Sequence, residues 1–453
     1  MTERPEPGTT PTREQQAAAW LAYLAIGATA VFLVIALLDR WDVLLAALAT
    51  LAVLIMAAWF AVSRRGTLRL VAVGVAVVAL VIFTVVIVTT HSVWVVVAGL
   101  ALATASTAAA RFALRPSAPD AATVATAPPA RHAVLIMNPW SGGGKVEKFE
   151  LERLCRERGI EPIVLYKGSD LLALAEDAVA RGADVIGMAG GDGSQALVAS
   201  VASRHGIPMV VIPAGTRNHF ALDLGMDRAD VVGALDAYTD GIDRRIDLAE
   251  VNGRTFVNNA SMGLYAEIVQ SEDYRDAKIR TAAETLPDLI GPAAVPLDLR
   301  FAPPSGEPMT SANLVLVSNN PYQLSHLRGG STRPALDTGR LGVVSVLVRG
   351  AGDAEKFAAL EAAGRVGRFS GWNEWTATEF EVGSGGPVEV GVDGEALTMD
   401  PPLRFVIRPG ALTVRQARAV LTRPVVGPAV HLTAASTLGE LWGTALGRSV
   451  VSP

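Results

Sequence analysis

Four apolar runs crowd the first 110 positions of the chain, at 17–38, 43–62, 70–88 and 93–110, with only scattered charges between them. A hydrocarbon core about 30 Å thick takes about 20 helical residues, so the runs predict four transmembrane helices. Burying four such helices in succession inside a soluble core would require an implausibly large core. The polar opening up to Gln16 and the length of the first run argue against a cleaved signal peptide. Arginine sets the expected orientation: Arg4, Arg13, Arg64, Arg65, Arg69, Arg111 and Arg115 flank one side of the runs, and Arg40, with Asp39 and Asp42 beside it, flanks the other. Basic flanks stay on the cytoplasmic side. The expectation is a multi-pass protein of the cell membrane with both termini cytoplasmic.

Residues 111–130 carry Pro116, Pro119, Pro128 and Pro129 among alanines and threonines, without apolar periodicity, and read as a linker. The pattern then changes. Positions 133–137 form an unbroken apolar run, as a strand covered on both faces would. Helical stretches at 145–158, 170–180 and from Ser194 alternate with strands at 163–166, 184–188 and 209–212, which predicts a doubly wound α/β domain. From about Val251 the chain turns to short segments separated by Gly, Pro and Ser, at 254–258, 297–301, 313–318, 342–348, 376–382, 388–390 and 403–407. Glu379 and Glu381 alternate with Thr378, Phe380 and Val382, which leaves one face wet. A mainly antiparallel β-sandwich fits these strands. The expected order is a cytoplasmic segment at 1–16, a transmembrane domain at 17–110, the linker, an α/β nucleotide-binding domain at 131–250, a β-sandwich at 251–415 and a tail at 416–453 of ambiguous pattern.

Composition sharpens this division. Apolar residues make up 50% of the 453 and the mean hydropathy is +0.35, an excess that sits in the N-terminal runs. A net charge of −5 with no basic stripe excludes a nucleic-acid partner. One cysteine, Cys155, forbids an intrachain disulfide, and the six histidines fall at no metal-ligand spacing, which excludes a zinc site.

The chemistry gathers where strands meet glycines. Asn138-Pro139-Trp140-Ser141-Gly142-Gly143-Gly144-Lys145 lies between a strand and a helix, where free amides can hold phosphate, although its spacing differs from a Walker A loop. Gly190-Gly191-Asp192-Gly193-Ser194 closes the next-but-one strand and opens a helix; its glycines let the backbone approach phosphate. A carboxylate placed there, Asp192, suits a divalent cation or an attacking alcohol, and either role belongs to phosphoryl transfer. Pro213-Ala214-Gly215-Thr216-Arg217-Asn218-His219-Phe220-Ala221 follows another strand and offers Thr216 and Asn218 as neutral hydrogen-bonding groups, with Arg217 for phosphate and His219 for packing.

In their order, N-P-x-S-G, G-G-D-G-S and P-A-G-T-x-N-x-F-A resemble the diacylglycerol kinase catalytic family, which includes sphingosine kinases and bacterial lipid kinases. The likeness runs from about Arg131 to Arg415, and the N-terminal spans resemble the fused versions in actinobacteria. It implies an ATP site holding Asn138, Pro139, Ser141, Gly142, Gly190, Gly191, Asp192, Gly193, Ser194, Gly215, Thr216 and Asn218, a Mg²⁺ ion with the nucleotide, and a lipid entering the same cleft. Val392-Asp393-Gly394-Glu395 matches the family's V-D-G-E element, so Asp393 and Glu395 join Asp192 as expected catalytic acids. Two departures accompany the likeness. Leu165-Tyr166-Lys167 stands where a nucleotide-contacting threonine is usual. In Ala335-Leu336-Asp337-Thr338-Gly339-Arg340-Leu341 the acid is one place from its position in the family's structural Mg²⁺ loop, which makes Asp337 the expected but displaced ligand.

The function expected is transfer of the γ-phosphoryl group of ATP to a lipid hydroxyl, first of all a diacylglycerol-like one, in lipid metabolism. Two alternatives stay open: a soluble-substrate kinase related to NAD kinases, which gives the membrane domain no purpose, and a non-catalytic sensor of lipid or nucleotide. Self-association into a homo-oligomer is open as well.

Overall fold

The computed structural model describes residues 11–39, 41–63, 67–90, 93–114, 126–263, 296–304, 306–323, 333–362, 365–422 and 435–447. They divide into two compact units, one built from 1–61, 66–121 and 421–453, the other from 122–420 together with 62–65.

In the first unit the apolar runs form α1 (Arg13–Asp39), α2 (Trp41–Ser63), α3 (Thr67–Thr89) and α4 (Val93–Ala113). Among the described residues Thr67–Thr89 is long and apolar enough to cross a membrane, with a hydropathy of 3.2, and Leu45–Phe60 and Val97–Ala113 are shorter apolar stretches. Many apolar side chains of α3 are exposed, Leu70 at 72% and Ile82 at 58% among them, whereas Ala72 is buried. Helices α1 and α4 pack through Ala19, Ala22, Ala109, Ala110 and Ala113, small residues that let two backbones approach. The same cluster takes in Leu441 and Ala445.

The second unit contains two sheets. The α/β part supplies β1 (Ala133–Met137), α5 (Lys145–Lys148), α6 (Leu151–Glu157), β2 (Glu161–Val164), α7 (Leu171–Ala180), β3 (Val185–Ala189), α8 (Asp192–His205), β4 (Met209–Ile212) and α9 (His219–Asp223). There follow β5 (Gly241–Val251), β6 (Arg254–Phe256), β7 (Asn259–Gly263), β8 (Leu314–Asn319), β9 (Leu341–Val346), α10 (Ala351–Ala362), β10 (Trp372–Ala377), β11 (Glu379–Val382), β12 (Val388–Val392), β13 (Glu395–Met399), β14 (Leu403–Ala417) and α11 (Ala419–Thr422). The last helix, α12 (Ala435–Ala445), belongs to the first unit.

The first sheet has the order β2-β1-β3-β4-β14-β5-β6, with β11 also paired to β14. Strands β1 to β4 are parallel, and the order reverses between β1 and β3, the switch point at which α/β sheets bind ligands. Both β1 and β3 are buried along their whole length, as their unbroken apolar sequences require. The second sheet, β10-β9-β8-β7-β12-β13, is antiparallel throughout.

A division at 250/251 does not describe this unit, because β14 comes back to lie between β4 and β5. It pairs parallel with β4 at Val414 and Arg415, and antiparallel with β5 along most of its length. An irregularity between Arg408 and Leu412 separates its two halves. The first half, with Phe405 and Ile407, faces Val315, Val317, Val343 and Val390 of the second sheet and builds the sandwich core. The second half, with Leu412 and Val414, joins the α/β core.

Local differences from the expected elements have local causes. The helix at 145–158 breaks where Glu150 takes φ +49. The strand at 376–382 divides at Thr378, its two halves entering different sheets. At 297–301 there are only isolated bridges, to Ala312, Met309 and Gly383.

Candidate active site

The three glycine-bearing loops leave the C-terminal ends of β1, β3 and β4 and press backbone against backbone. Asn138 continues the β1 ladder by donating its amide to Ala189 O, and its side chain accepts from the Trp140 amide at 3.1 Å, which turns the chain sharply. Gly142 sits at φ +58, and a Cβ there would lie 2.2 Å from Ala214 O. A Cβ on Gly215 would lie 2.5 Å from the Cα of Gly191. Only glycine fits either place.

Two side chains fasten the third loop. Lys145 Nζ donates to Pro213 O and Gly215 O at 3.1 Å, and Asn218 Nδ2 donates to the same two carbonyls at 2.9 Å. Asn218 itself is left-handed, at φ +50, a conformation asparagine tolerates. Burial lowers the pKa of Lys145, and the positive charges of Arg228 and Lys148 lower it further. That concentration of cations beside the glycine loops suits a polyanion. Thr216 is exposed, Ser141 and Ser194 are half-buried, and the β1–α5 loop places Ser141 Oγ 3.7 Å from where a Cβ on Gly191 would stand.

Asp192 begins α8 and turns its carboxylate toward α9, accepting from the amides of His219 at 3.0 Å and Phe220 at 3.2 Å. Burial raises its pKa against those two amides. The imidazole of His219 is held below its usual range by burial, with the charge of Asp192 acting in the opposite sense.

Asp393 and Gly394 form the two-residue turn of the β12–β13 hairpin, with φ of +47 and +86, as this type of turn demands. The residue is half-buried and its carboxylate turns toward backbone. It accepts from the amides of Val257 and Asn258 at 2.8 Å and of Asn259 at 3.1 Å. Burial pushes its pKa up to about 7; the Val257 amide opposes this, the negative charge of Asp192 adds to it, and the amides of Asn258 and Asn259 oppose it again. Asp192 and Asp393, 201 positions apart by number (393 − 192), therefore feel each other's charge. Glu395 pairs with Arg254, and its Oε1 would lie 2.5 Å from a Cβ on Gly193, so Gly193 is what lets Glu395 reach the start of α8.

Several polar groups of the site have no local sequence signal. Arg333 and Asp223 form an ion pair at 2.7 Å with 0% and 2% side-chain exposure. Asp247 is buried and accepts from the amides of Gly339 and Gly410 at 2.7 and 2.8 Å. Asn320, at φ +71, accepts from the amide and hydroxyl of Thr338. Asp337 stands outside this network, 56% exposed and 3.9 Å from Arg244. Among the described residues no group of three His, Cys, Asp or Glu side chains could hold a metal ion. A cavity of about 210 Å³ on the second sheet, lined in part by Leu316, Tyr322, Val344 and Trp375, lies apart from the glycine loops.

Residues 132–251 match the family described as the diacylglycerol kinase catalytic domain. A diacylglycerol kinase of Bacillus subtilis (strain 168) is 40% identical over 144 residues, which are 30% of this chain and 48% of that one. A diacylglycerol kinase of Mycobacterium tuberculosis (strain ATCC 25618 / H37Rv) is 32% identical over 120 residues, 26% of this chain and 39% of that one. The chain thus spans half or less of the length of these curated relatives. A solved structure from Bacillus anthracis str. Sterne, assigned provisionally as a diacylglycerol kinase, shares the fold with a TM-score of 0.51 at 20% identity, over 64% of this chain and 99% of that one.

Proposed function

Through residues 132–251 this chain belongs to the diacylglycerol kinase catalytic domain family, and from that premise we propose that it transfers the γ-phosphoryl group of ATP to a lipid hydroxyl, with α1–α4 crossing the membrane and the kinase unit in the cytoplasm. The observation that carries the reading is the approach of the β12–β13 hairpin, through Glu395, to Gly193 at the start of α8, which puts Asp393 within the field of Asp192 beside the glycine-tight loops.

The loops bind the phosphates through amides and through the cations around Lys145. Asp393 takes the proton of the acceptor hydroxyl, because a base is most effective when its pKa lies near the working pH. The three amides of 257–259 keep it competent as a carboxylate despite burial. A divalent cation, Mg²⁺ in this reading, would arrive with the nucleotide and be held by Asp192, whose two oxygens keep spare lone pairs beyond the His219 and Phe220 amides; when bound, it would neutralise phosphate charge. No metal is assigned to Asp337, which is 56% exposed and is joined by no metal-holding group among the described residues. Glu395, tied to Arg254, shapes the start of α8.

Phospholipid vesicles, each doped with one hydroxyl lipid (diacylglycerol, a sphingoid base or a polyprenol), are incubated with the full chain and γ-labelled ATP. Label is expected in the organic phase from the diacylglycerol vesicles. Transfer only to a water-soluble acceptor such as NAD sinks the proposal.

A further inference from the structure

Among the described residues the Arg333–Asp223 ion pair has the least exposed side chains of any ion pair, and it lies between the supports of the two acids. All of its partners are accounted for. The Arg333 amide and Nε donate to the Asp223 carboxylate at 3.1 and 2.8 Å. Nη1 donates to Val257 O and to Asn319 O at 2.7 Å, and Nη2 to Asn258 Oδ1 at 2.8 Å. The guanidinium also lies over the ring of Tyr322, 5.5 Å from its centroid. Val257 and Asn258 are two of the three residues whose amides hold Asp393, so the guanidinium grips from one side the turn that grips Asp393 from the other. Asp223 is the last residue of α9, and the first two amides of α9 go to Asp192.

We infer that Arg333 and Asp223 are positioning residues for phosphoryl transfer: their ion pair ties the turn that carries Asp393 to the helix that carries the amides of Asp192. The inference rests on the reading of Asp393 given above. A buried ion pair contributes little net stability compared with well-packed apolar residues, whereas its fixed fork geometry determines where its partners stand. Only arginine can serve Val257 O, Asn258 Oδ1, Asn319 O and Asp223 at once from one planar group. A lysine keeps the charge and loses the fork.

Lost positioning must be told apart from a lost folded fraction, so the test is a double-mutant cycle in the full chain. Arg333→Lys, Asp393→Asn and the pair are assayed for labelled phosphate transfer to diacylglycerol vesicles, with thermal melts to normalise for folded protein. Misplacing a catalytic group by about 1 Å costs about 10²-fold, so Arg333→Lys is expected to lower turnover about 10–100-fold. In the Asp393→Asn background it should lower turnover hardly at all, because residues that act as one unit are not additive. Multiplying effects, which a purely structural role would give, overturn the inference. Asp223→Asn, which keeps the shape of the partner, is read in the same cycle and must behave alike if Arg333→Lys does not fold. Full turnover of Asp393→Asn alone would remove the underlying reading of the site as well, whereas an inert Asp393→Asn with independent Arg333→Lys would remove only the inference.

Discussion

Asp393 and Asp192 share one electrostatic field and have different surroundings, and this separates their roles. Asp393 is held by three amides from a single turn and, among the described residues, makes no hydrogen bond to the glycine loops, so neutralising it leaves the backbone of the phosphate loops in place. Asp192 caps α9 next to Asn218 and Gly215, so neutralising it disturbs the nucleotide side. Asp192→Asn is therefore expected to raise the KM for ATP with its metal as well as lowering kcat, and Asp393→Asn to lower mainly kcat. Unchanged ATP affinity in Asp192→Asn with collapsed turnover would move the base to Asp192. Gly215→Ala offers a stricter test of the loops. Its Cβ would lie 2.5 Å from the Gly191 Cα and 2.6 Å from Asn218 Oδ1, the side chain that fastens the loop, so ATP binding should weaken and the thermal midpoint fall by the equivalent of about 1–3 kcal/mol. A variant that binds ATP like the wild type would show that the loops tolerate separation.

At the scale of elements, what could be read from the sequence was whatever is local. The buried strands β1 and β3 announce themselves as apolar runs, and Gly142 and Gly215 as glycines in turns that no side chain could enter. The hairpin at Asp393-Gly394 is legible for the same reason, since the turn type demands those residues. The place of β14 is not legible. Its sequence says strand, whereas its insertion between β4 and β5 depends on partners far away in sequence. Arg333 is hidden likewise, because one charged residue in a loop has no period, and Asp247, within β5, because its partners Gly339 and Gly410 lie far away in sequence. The break at Glu150 depends on a single left-handed residue that asparagine or glycine would have signalled and glutamate does not. The tail at 416–453 reads as ambiguous because α12 is short; the contact of Trp442 with Trp20 and Tyr23, with centroids 5.8 and 5.7 Å apart, shows where it belongs. The central position of β14 yields a direct expectation. A fragment of residues 126–420 should fold cooperatively and phosphorylate lipid in mixed micelles, and one ending at Met399 should not fold, because an open sheet edge and half of a core would face water. Cooperative melting of the shorter fragment would contradict the observed strand order.

At the scale of the molecule, the chain joins a helical unit with outward apolar faces to a two-sheet unit that contains every residue of the proposed site. On the proposed function the helical unit would serve as a tether, which would raise the local concentration of substrate and add nothing to the chemical step. The fragment's turnover on dispersed lipid and the full chain's turnover in vesicles should therefore respond to the same substitutions. The measurement that bears most directly on the account is transfer of label from γ-labelled ATP to diacylglycerol by the full chain in vesicles, followed from pH 5 to 9 beside Asp393→Asn. As Asp393 loses its proton with a pKa of about 7, wild-type kcat/KM should rise with pH through that region and level off above it. Asp393→Asn should lie about 10²–10⁴-fold lower and lack that rise. Lipid phosphorylation by Asp393→Asn at the wild-type rate and with the wild-type pH profile would contradict the account.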